Sequence, residues 1–427
     1  MNETMAEEMS GDTQAILLLC GRLGQTESGK GTKPLSAKQY GMVARWLRQR
    51  SMRPADLLSN EGRGQLKEFE AAGLDQGMLE ALLDRGAALG LMTERWSSRG
   101  LWVISRGDAE YPARYKTYLG HSAPPLLFGA GERDLLQAGG LAVVGSREAD
   151  EEHIDFARRV GTTCAAQRIA VISGGARGID IESMAASFEA GGSAVGVLAD
   201  SLARSAVSAR YREGLISGRL VLISPYDPEA RWFAYTAMER NKLIYGLSDA
   251  ALIVTSAAEN GGTWSGATEA LQHARISVYV RAHGTPAEGN VKLLALGAKA
   301  FPAESWGDLR SLFTPPQAPA SLSKPPLEVS AEAPPADQRA RSQKLSAGDA
   351  YGMVLPALLA ALAEPRTGKA VEECLGLVPA QAKVWLGRAC DEGWVRRLGR
   401  PARYVAVDES TLLFGAARPA EPERSVA

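Results

Sequence analysis

Residues 169–180 read IAVISGGARGID. The opening run is apolar on both of its alternating faces, which fits a strand buried on both sides of a sheet. Two glycines, an arginine, a third glycine and an aspartate follow, and a helix is predicted from Ile179. Glycines let backbone approach a ligand with no Cβ in the way. Amides at a helix N-terminus favour an anion. The stretch is therefore a strand–loop–helix unit shaped around negative charge. Arg177 is a candidate side-chain donor, and Asp180 is placed to cap the helix or to hold Arg177. Two familiar phosphate-loop patterns do not fit. GxGxxG fails because Ala176 and Ile179 stand where glycines are required. GxxxxGK[ST] occurs only as a near miss, Gly24 to Lys30, followed by Gly31 in place of a hydroxyl.

The same rhythm extends in both directions. Apolar runs lie at Leu141–Val144, Ile169–Ile172, Ala194–Leu198, Leu220–Ile223, Ala250–Val254 and Ile276–Val280, mostly separated by amphipathic stretches such as FARRVGTTCAAQ and TEALQHA. This alternation predicts an α/β fold with a Rossmann-like parallel sheet. Ligands of such sheets sit outside the carboxyl ends of the strands. The candidate binding residues cluster there: Gly145, Ser146 and Arg147; Ser173, Gly174, Gly175, Arg177 and Gly178; Arg240, Asn241 and Lys242; Gly262, Thr263 and Trp264. Four loops with backbone donors and as many cations suit a nucleic-acid strand better than one nucleotide, because every phosphate neutralised releases counterions. Bases of single strands also stack on aromatic rings. Trp264 is a stacking candidate with core packing as its alternative, and Trp232, Phe233 and Tyr235 lie nearby in sequence.

Composition narrows the class. The chain of 427 residues has room for two or three domains, and its net charge of −1 excludes a general polycation. A nucleic-acid site must then be a local basic patch. Four cysteines form no CxxC pair and four histidines are scattered, so no metal or other cofactor is expected. That cysteine usage fits a reducing compartment. The acidic start MNETMAEEMSGD is unlike a secretory signal, and no apolar run nears the ~20 residues that span a bilayer, so a cytoplasmic protein free of the membrane is expected.

Four regions are predicted: a helical domain at 1–95, a Rossmann-like core at 96–313, a disordered linker at 314–349 and a winged helix at 350–410. The linker holds seven of the 22 prolines. In the last region MVLPALLAALAE, GKAVEECLGL and PAQAKVWLGRACDEG read as three helices, and WVRRLGRPARYVAV as a two-stranded wing turning at Gly399–Arg400–Pro401. Duplex contact through Lys383 and Arg388, or a protein-interaction role, both fit this tail.

AVVGSR, VISGGARGID and RNKLIYGLSDAALIV, preceded by DAEYPARYKTYLGHSAPPLLFGAGE, together resemble the DprA/Smf family of bacterial DNA-processing proteins, over about Leu101 to Phe301. The resemblance implies a Rossmann-like domain that binds single-stranded DNA and helps to load the recombinase RecA in transformation or recombination. It also implies a homodimer. Ser146 and Arg147 fall on the family's GSR, Ser173, Gly174, Gly178 and Asp180 on its SGxAxGID, and Arg240, Asn241 and Lys242 on its RNR. Lysine replaces the last arginine, keeping charge but not a bidentate grip. Departures after GID and in ENGGTWSGATEAL mark a divergent member. That segment also resembles the LOG-type phosphoribohydrolases, in which reading Glu269 would stabilise a cationic sugar or act as base. No GxSxG elbow is present. Binding is favoured over catalysis.

Overall fold

A computed structural model describes residues 9–23, 32–69, 74–231, 234–273, 275–313, 358–359, 361–362, 364–375, 379–391, 394–398 and 403–406. The near-miss phosphate loop at 24–30 and the linker at 314–349 lie outside the described residues. The chain divides into two compact units, Met1–Lys324 and Pro325–Ala427.

The first unit is built on a nine-stranded sheet of order β1-β2-β6-β5-β4-β3-β7-β8-β9. Its strands are β1 Leu101–Ser105, β2 Leu126–Gly131, β3 Leu141–Gly145, β4 Val171–Ser173, β5 Ala194–Val197, β6 Leu220–Ser224, β7 Ala250–Thr255, β8 Ser277–Val280 and β9 Lys299–Ala300. From β6 to β9 every pairing is parallel, and β2 and β1 add antiparallel strands beyond β6. All six expected strands are present. The period-2 alternation of each divides its side chains between two cores. Leu141 and Val143 of β3 face one, Ala142 and Val144 the other, and β7 splits likewise into Ala250, Leu252 and Val254 against Ala251 and Ile253. A strand so divided has no wet face, which is why these runs read as unbroken apolar segments.

Helices cover both faces. On one lie α1 Gly11–Cys20, α2 Ala37–Gln49, α3 Asn60–Gly64, α4 Gln76–Leu83 and α5 Gly86–Ser97, then, after α6 Ala113–Leu119 on the other, α7 Glu151–Ala166 and α8 Ile179–Glu189. The chain continues through α9 Leu202–Ala206 and α10 Ala209–Ile216 to α11 Ala234–Leu247, α12 Gly261–His273 and α13 Glu288–Ala295. With α6, the last three pack on the second core. α2 opens in a capping box: Ser36 Oγ accepts from the Gln39 amide and Gln39 Oε1 from the Ser36 amide. The apolar stretch MLEALLDRGAALGLM is broken between α4 and α5 at Asp84–Arg85. There Arg85 turns inward and donates to the carbonyls of Leu82 and Leu18, which satisfies backbone that a continuous helix would leave to itself.

The lead-in before β3 has a structural explanation. The Asp108 carboxylate accepts from Ser10 Oγ at 2.6 Å, from the Ser105 amide at 2.7 Å and from Thr13 Oγ1, tying α1 to the end of β1. Tyr111 donates its hydroxyl to Pro124 O at 2.8 Å. Burial alone would raise the Asp108 carboxyl, but the donors from Ser10, Ser105 and Thr13 outweigh it and hold it below the usual range. A depressed folded-state pKa adds stability above the ordinary aspartate range, lost as pH falls through the folded value. Asp108→Asn is therefore expected to lower the melting temperature at neutral pH, by the equivalent of roughly 1–3 kcal/mol. The gap from wild type should close below the ordinary aspartate range. A thermal-denaturation series against pH checks this, and a pH-independent gap would refute it.

In the second unit α14 Gly368–Leu375 and α15 Pro379–Asp391 pack with a small sheet of order β10-β12-β11, where β10 is Arg366–Thr367, β11 Val395–Leu398 and β12 Arg403–Ala406. β11 and β12 are the expected wing, and β10 is a third strand with no counterpart among the sequence expectations. The turn at Gly399–Pro401 and most of the first expected helix lie outside the described residues. Leu358, Leu362, Val371, Leu386, Ala389 and Val395 form this unit's own core.

Candidate nucleic-acid interface

The strand order reverses beside β3. Chain from β3 runs outward through β4, β5 and β6, then returns to β7 on the other side. That is the switch point where open α/β sheets form their crevice. The β3–β7 register shifts between Val144 and Gly145, and the Ser146 amide donates to Thr255 O at 3.1 Å. This irregularity re-aims the chain at the carboxyl end of the central strand.

Two clefts open there. One, of about 390 Å3, is lined by residues that include Gly145, Ser146, Arg147, Arg240, Asn241 and Gly262. The other, of about 440 Å3, includes Arg147, Gly174, Gly175, Arg177, Asp200 and Arg240. They share Arg147, Glu148, Ala176 and Arg240, and so adjoin one another across the ends of the parallel strands. Arg147 and Arg177 are exposed on the groove that the two clefts make.

The anion held by the ISGGARGID loop is the protein's own. Asp180 is 5% exposed; its carboxylate accepts from the Gly174 amide at 3.2 Å and lies near the amides of Gly145 and Ala176. It neither caps the helix from outside nor holds Arg177. The reason is geometric: α8 opens at Gly178, whose φ of 88° turns the chain so that the first helical turn points back under the loop. Burial pushes the Asp180 carboxyl up, opposed by Arg240 and by those three amides.

Arg240 lies beneath the same loop. It is 4% exposed and donates through Nη1 to the carbonyls of Gly174 and Val197, at the ends of β4 and β5. A Cβ on Gly174 would run into this guanidinium, so a larger residue there would have to displace Arg240. Burial lowers the pKa of Arg240, while Asp180 works in the opposite direction. The groove floor is thus a buried aspartate and arginine stitched to backbone, and exposed Arg147 and Arg177 stand above it.

The remaining candidates divide in the same way. Ser173 Oγ donates to Val143 O at 2.5 Å, joining β4 to β3. Asn241 Nδ2 donates to Gly262 O at 2.8 Å and Thr263 Oγ1 to Gly145 O at 3.1 Å, so α11, α12 and β3 are laced together around the first cleft. Lys242 lines neither cleft. It is two positions from Arg240, and two positions turn an α-helix by about 200°. Trp264 packs against the second core rather than lining the groove. Trp232 and Phe233 lie outside the described residues. Glu269 lines neither cleft and pairs with His273 at 3.7 Å. Sequence reasoning passes over Glu148 and Asp200, whose carboxylates also border the groove. Glu148 directly follows the GSR stretch and was legible there, whereas Asp200 carries no motif. Among the described residues no cluster of His, Cys, Asp and Glu could hold a metal, and no helix is long and apolar enough to cross a membrane.

A family model described as DNA recombination-mediator protein A matches residues 102–310, the span that contains the whole groove. Over that span the chain is similar to the DprA/Smf family. It is 28% identical to DNA processing protein DprA of Bacillus subtilis over 214 residues, 48% of this chain and 70% of that protein. It is 32% identical to protein Smf of Escherichia coli over 140 residues, 32% of this chain and 37% of that protein. The X-ray structure of DNA processing protein A from Streptococcus pneumoniae superimposes with a TM-score of 0.51 at 21% identity, covering 62% of this chain and 90% of that one. At that identity the likeness shows a DprA-type fold. The matched span begins at β1 and ends beyond β9, so it takes in the antiparallel strands as well as the parallel ones.

Proposed function

We propose that the chain binds single-stranded DNA along the groove over β3, β4, β5 and β7, without regard to sequence, as a mediator of recombination or DNA uptake. The observation that carries this is the groove of two adjoining clefts with Arg147 and Arg177 exposed on it. The Gly174 amide is engaged by Asp180, and the exposed side-chain cations Arg147 and Arg177 supply phosphate contacts, which carry no base information. The family description of a recombination mediator supports delivery of the strand to a recombinase such as RecA, and the resemblance to DprA supports action as a homodimer. A LOG-type hydrolase is not favoured, because Glu269 pairs with His273 and lines neither cleft.

The test is fluorescence anisotropy of a labelled single-stranded oligonucleotide over a salt series, with nucleoside monophosphate as competitor. Log affinity is expected to fall linearly with log salt, by about 0.7 per phosphate contacted. Monophosphate is expected not to displace the strand. Displacement by low monophosphate, or binding insensitive to salt, would replace the groove with a small nucleotide pocket.

A further inference from the structure

We propose that the C-terminal unit is a separate site for duplex DNA, with α15 entering the major groove and the β11–β12 hairpin lying on the flanking phosphates. The inference rests on how α15 divides its faces. Ala382, Leu386 and Ala389 are buried in the small core. Lys383, Val384, Gly387 and Arg388 are exposed, at spacings that place them on one stripe. Val384 is 64% exposed on that stripe. Such a residue among cations suits a base edge, where the thymine methyl is an apolar partner, and Gly387 removes bulk where the helix must come close.

The hairpin extends the same chemistry. Arg396 and Arg397 of β11 are both exposed, and so is Arg403 of β12. Residues 379–406 carry six Lys and Arg against two Asp and Glu, in a chain that holds 48 against 49. The acids Glu372 and Glu373 are placed on α14 instead. α14 carries Lys369 against those two acids, while α15 and the two hairpin strands carry five cations against Asp391, an excess on the helix and hairpin that a winged helix presents to DNA.

The same unit lacks what a single strand needs. Trp385, Trp394 and Tyr404, the aromatic residues among its described positions, pack against its own core instead of offering rings to bases. A helix of 13 residues is a rod of about 20 Å, matched to a groove that admits one helix.

The experiment uses the full chain and a short labelled duplex of mixed sequence, with a single strand of the same length in parallel. K383A/R396A/R397A is expected to weaken duplex binding about tenfold or more and to flatten its salt slope by about 0.9 for each phosphate no longer neutralised. Single-strand affinity should stay within about twofold, because the residues that grip it belong to the other unit. Val384→Glu, which sets a carboxylate on the same stripe, should reproduce the weakening at an unchanged melting temperature. Unchanged duplex affinity in both variants would overturn the proposal and leave the face to a protein partner. Equal weakening of duplex and single strand would also overturn it. Neither reading requires the core groove to bind DNA.

Discussion

Arg240→Ala is expected to lower the melting temperature by roughly 10 °C, before any question of ligand arises. Its guanidinium donates to the carbonyls of Gly174 and Val197 and stands beside the buried Asp180 carboxylate. Truncation strands that carboxylate in a dry site and leaves two carbonyls without their donor. Leaving a buried carbonyl without its donor costs roughly 1–3 kcal/mol, and here two lose theirs while Asp180 loses a neighbouring positive charge. For domains of this size each kcal/mol moves the midpoint by roughly 2–4 °C. Arg240→Lys should recover part of the loss, because both carbonyls accept from the one nitrogen Nη1, a role an ammonium with three donors can take over. Asp180→Asn should be destabilising as well, since an amide loses the charge beside Arg240 and can turn its own donors on the loop N–H groups. The double variant should cost less than the sum of the two singles. Differential scanning calorimetry of the four proteins measures this cycle. A midpoint within about 2 °C of wild type for Arg240→Ala would place the guanidinium on the surface and restore it to the phosphate contacts.

That expectation also marks the limit of what the sequence conveys. Six of the seven parallel strands were legible because burial on both faces leaves an unbroken apolar run, as in AALIVT. The antiparallel pair β1 and β2 was not, although LWVIS and LLFGAG are good strands. Their interval holds only the short helix α6, with no full crossover helix to betray a parallel unit. In the site, the glycine loops and the GSR stretch announced the groove, because glycines after a buried strand have few other uses. Burial of Arg240 carried no such signal. Arginine is mostly an exposed residue, so a basic triplet reads as surface. Only the packing of α11 under the β4 and β5 loops decides that Arg240 points in while Lys242, about 200° around the helix, lines neither cleft. Asp180 was misread for a related reason. Its inward aim depends on the turn at Gly178, and GID alone does not reveal a left-handed φ.

The double variant Arg147→Ala/Arg177→Ala should show the opposite profile to Arg240→Ala. Both side chains are exposed on the groove, so their removal should leave the melting temperature within a few degrees, as surface substitutions typically shift stability by about 0.5 kcal/mol. Single-strand affinity should fall roughly tenfold to a hundredfold, on the scale of two charge-assisted phosphate contacts. The slope of log affinity against log salt should become shallower by about 1.4, from about 0.7 per phosphate contact. The fall should be equal for homopolymers and mixed sequences, since phosphate contacts are blind to bases. Each single variant should give about half the change in slope, because counterion release counts phosphates neutralised, and the two arginines border different parts of the groove. Arg147 borders both clefts and Arg177 only the second, so Arg147→Ala should be the more damaging single change. Anisotropy over a salt series, beside a melting curve for each protein, separates the two kinds of arginine. An unchanged slope with normal folding would mean that the strand does not run through this groove, however well the loops that frame it are formed.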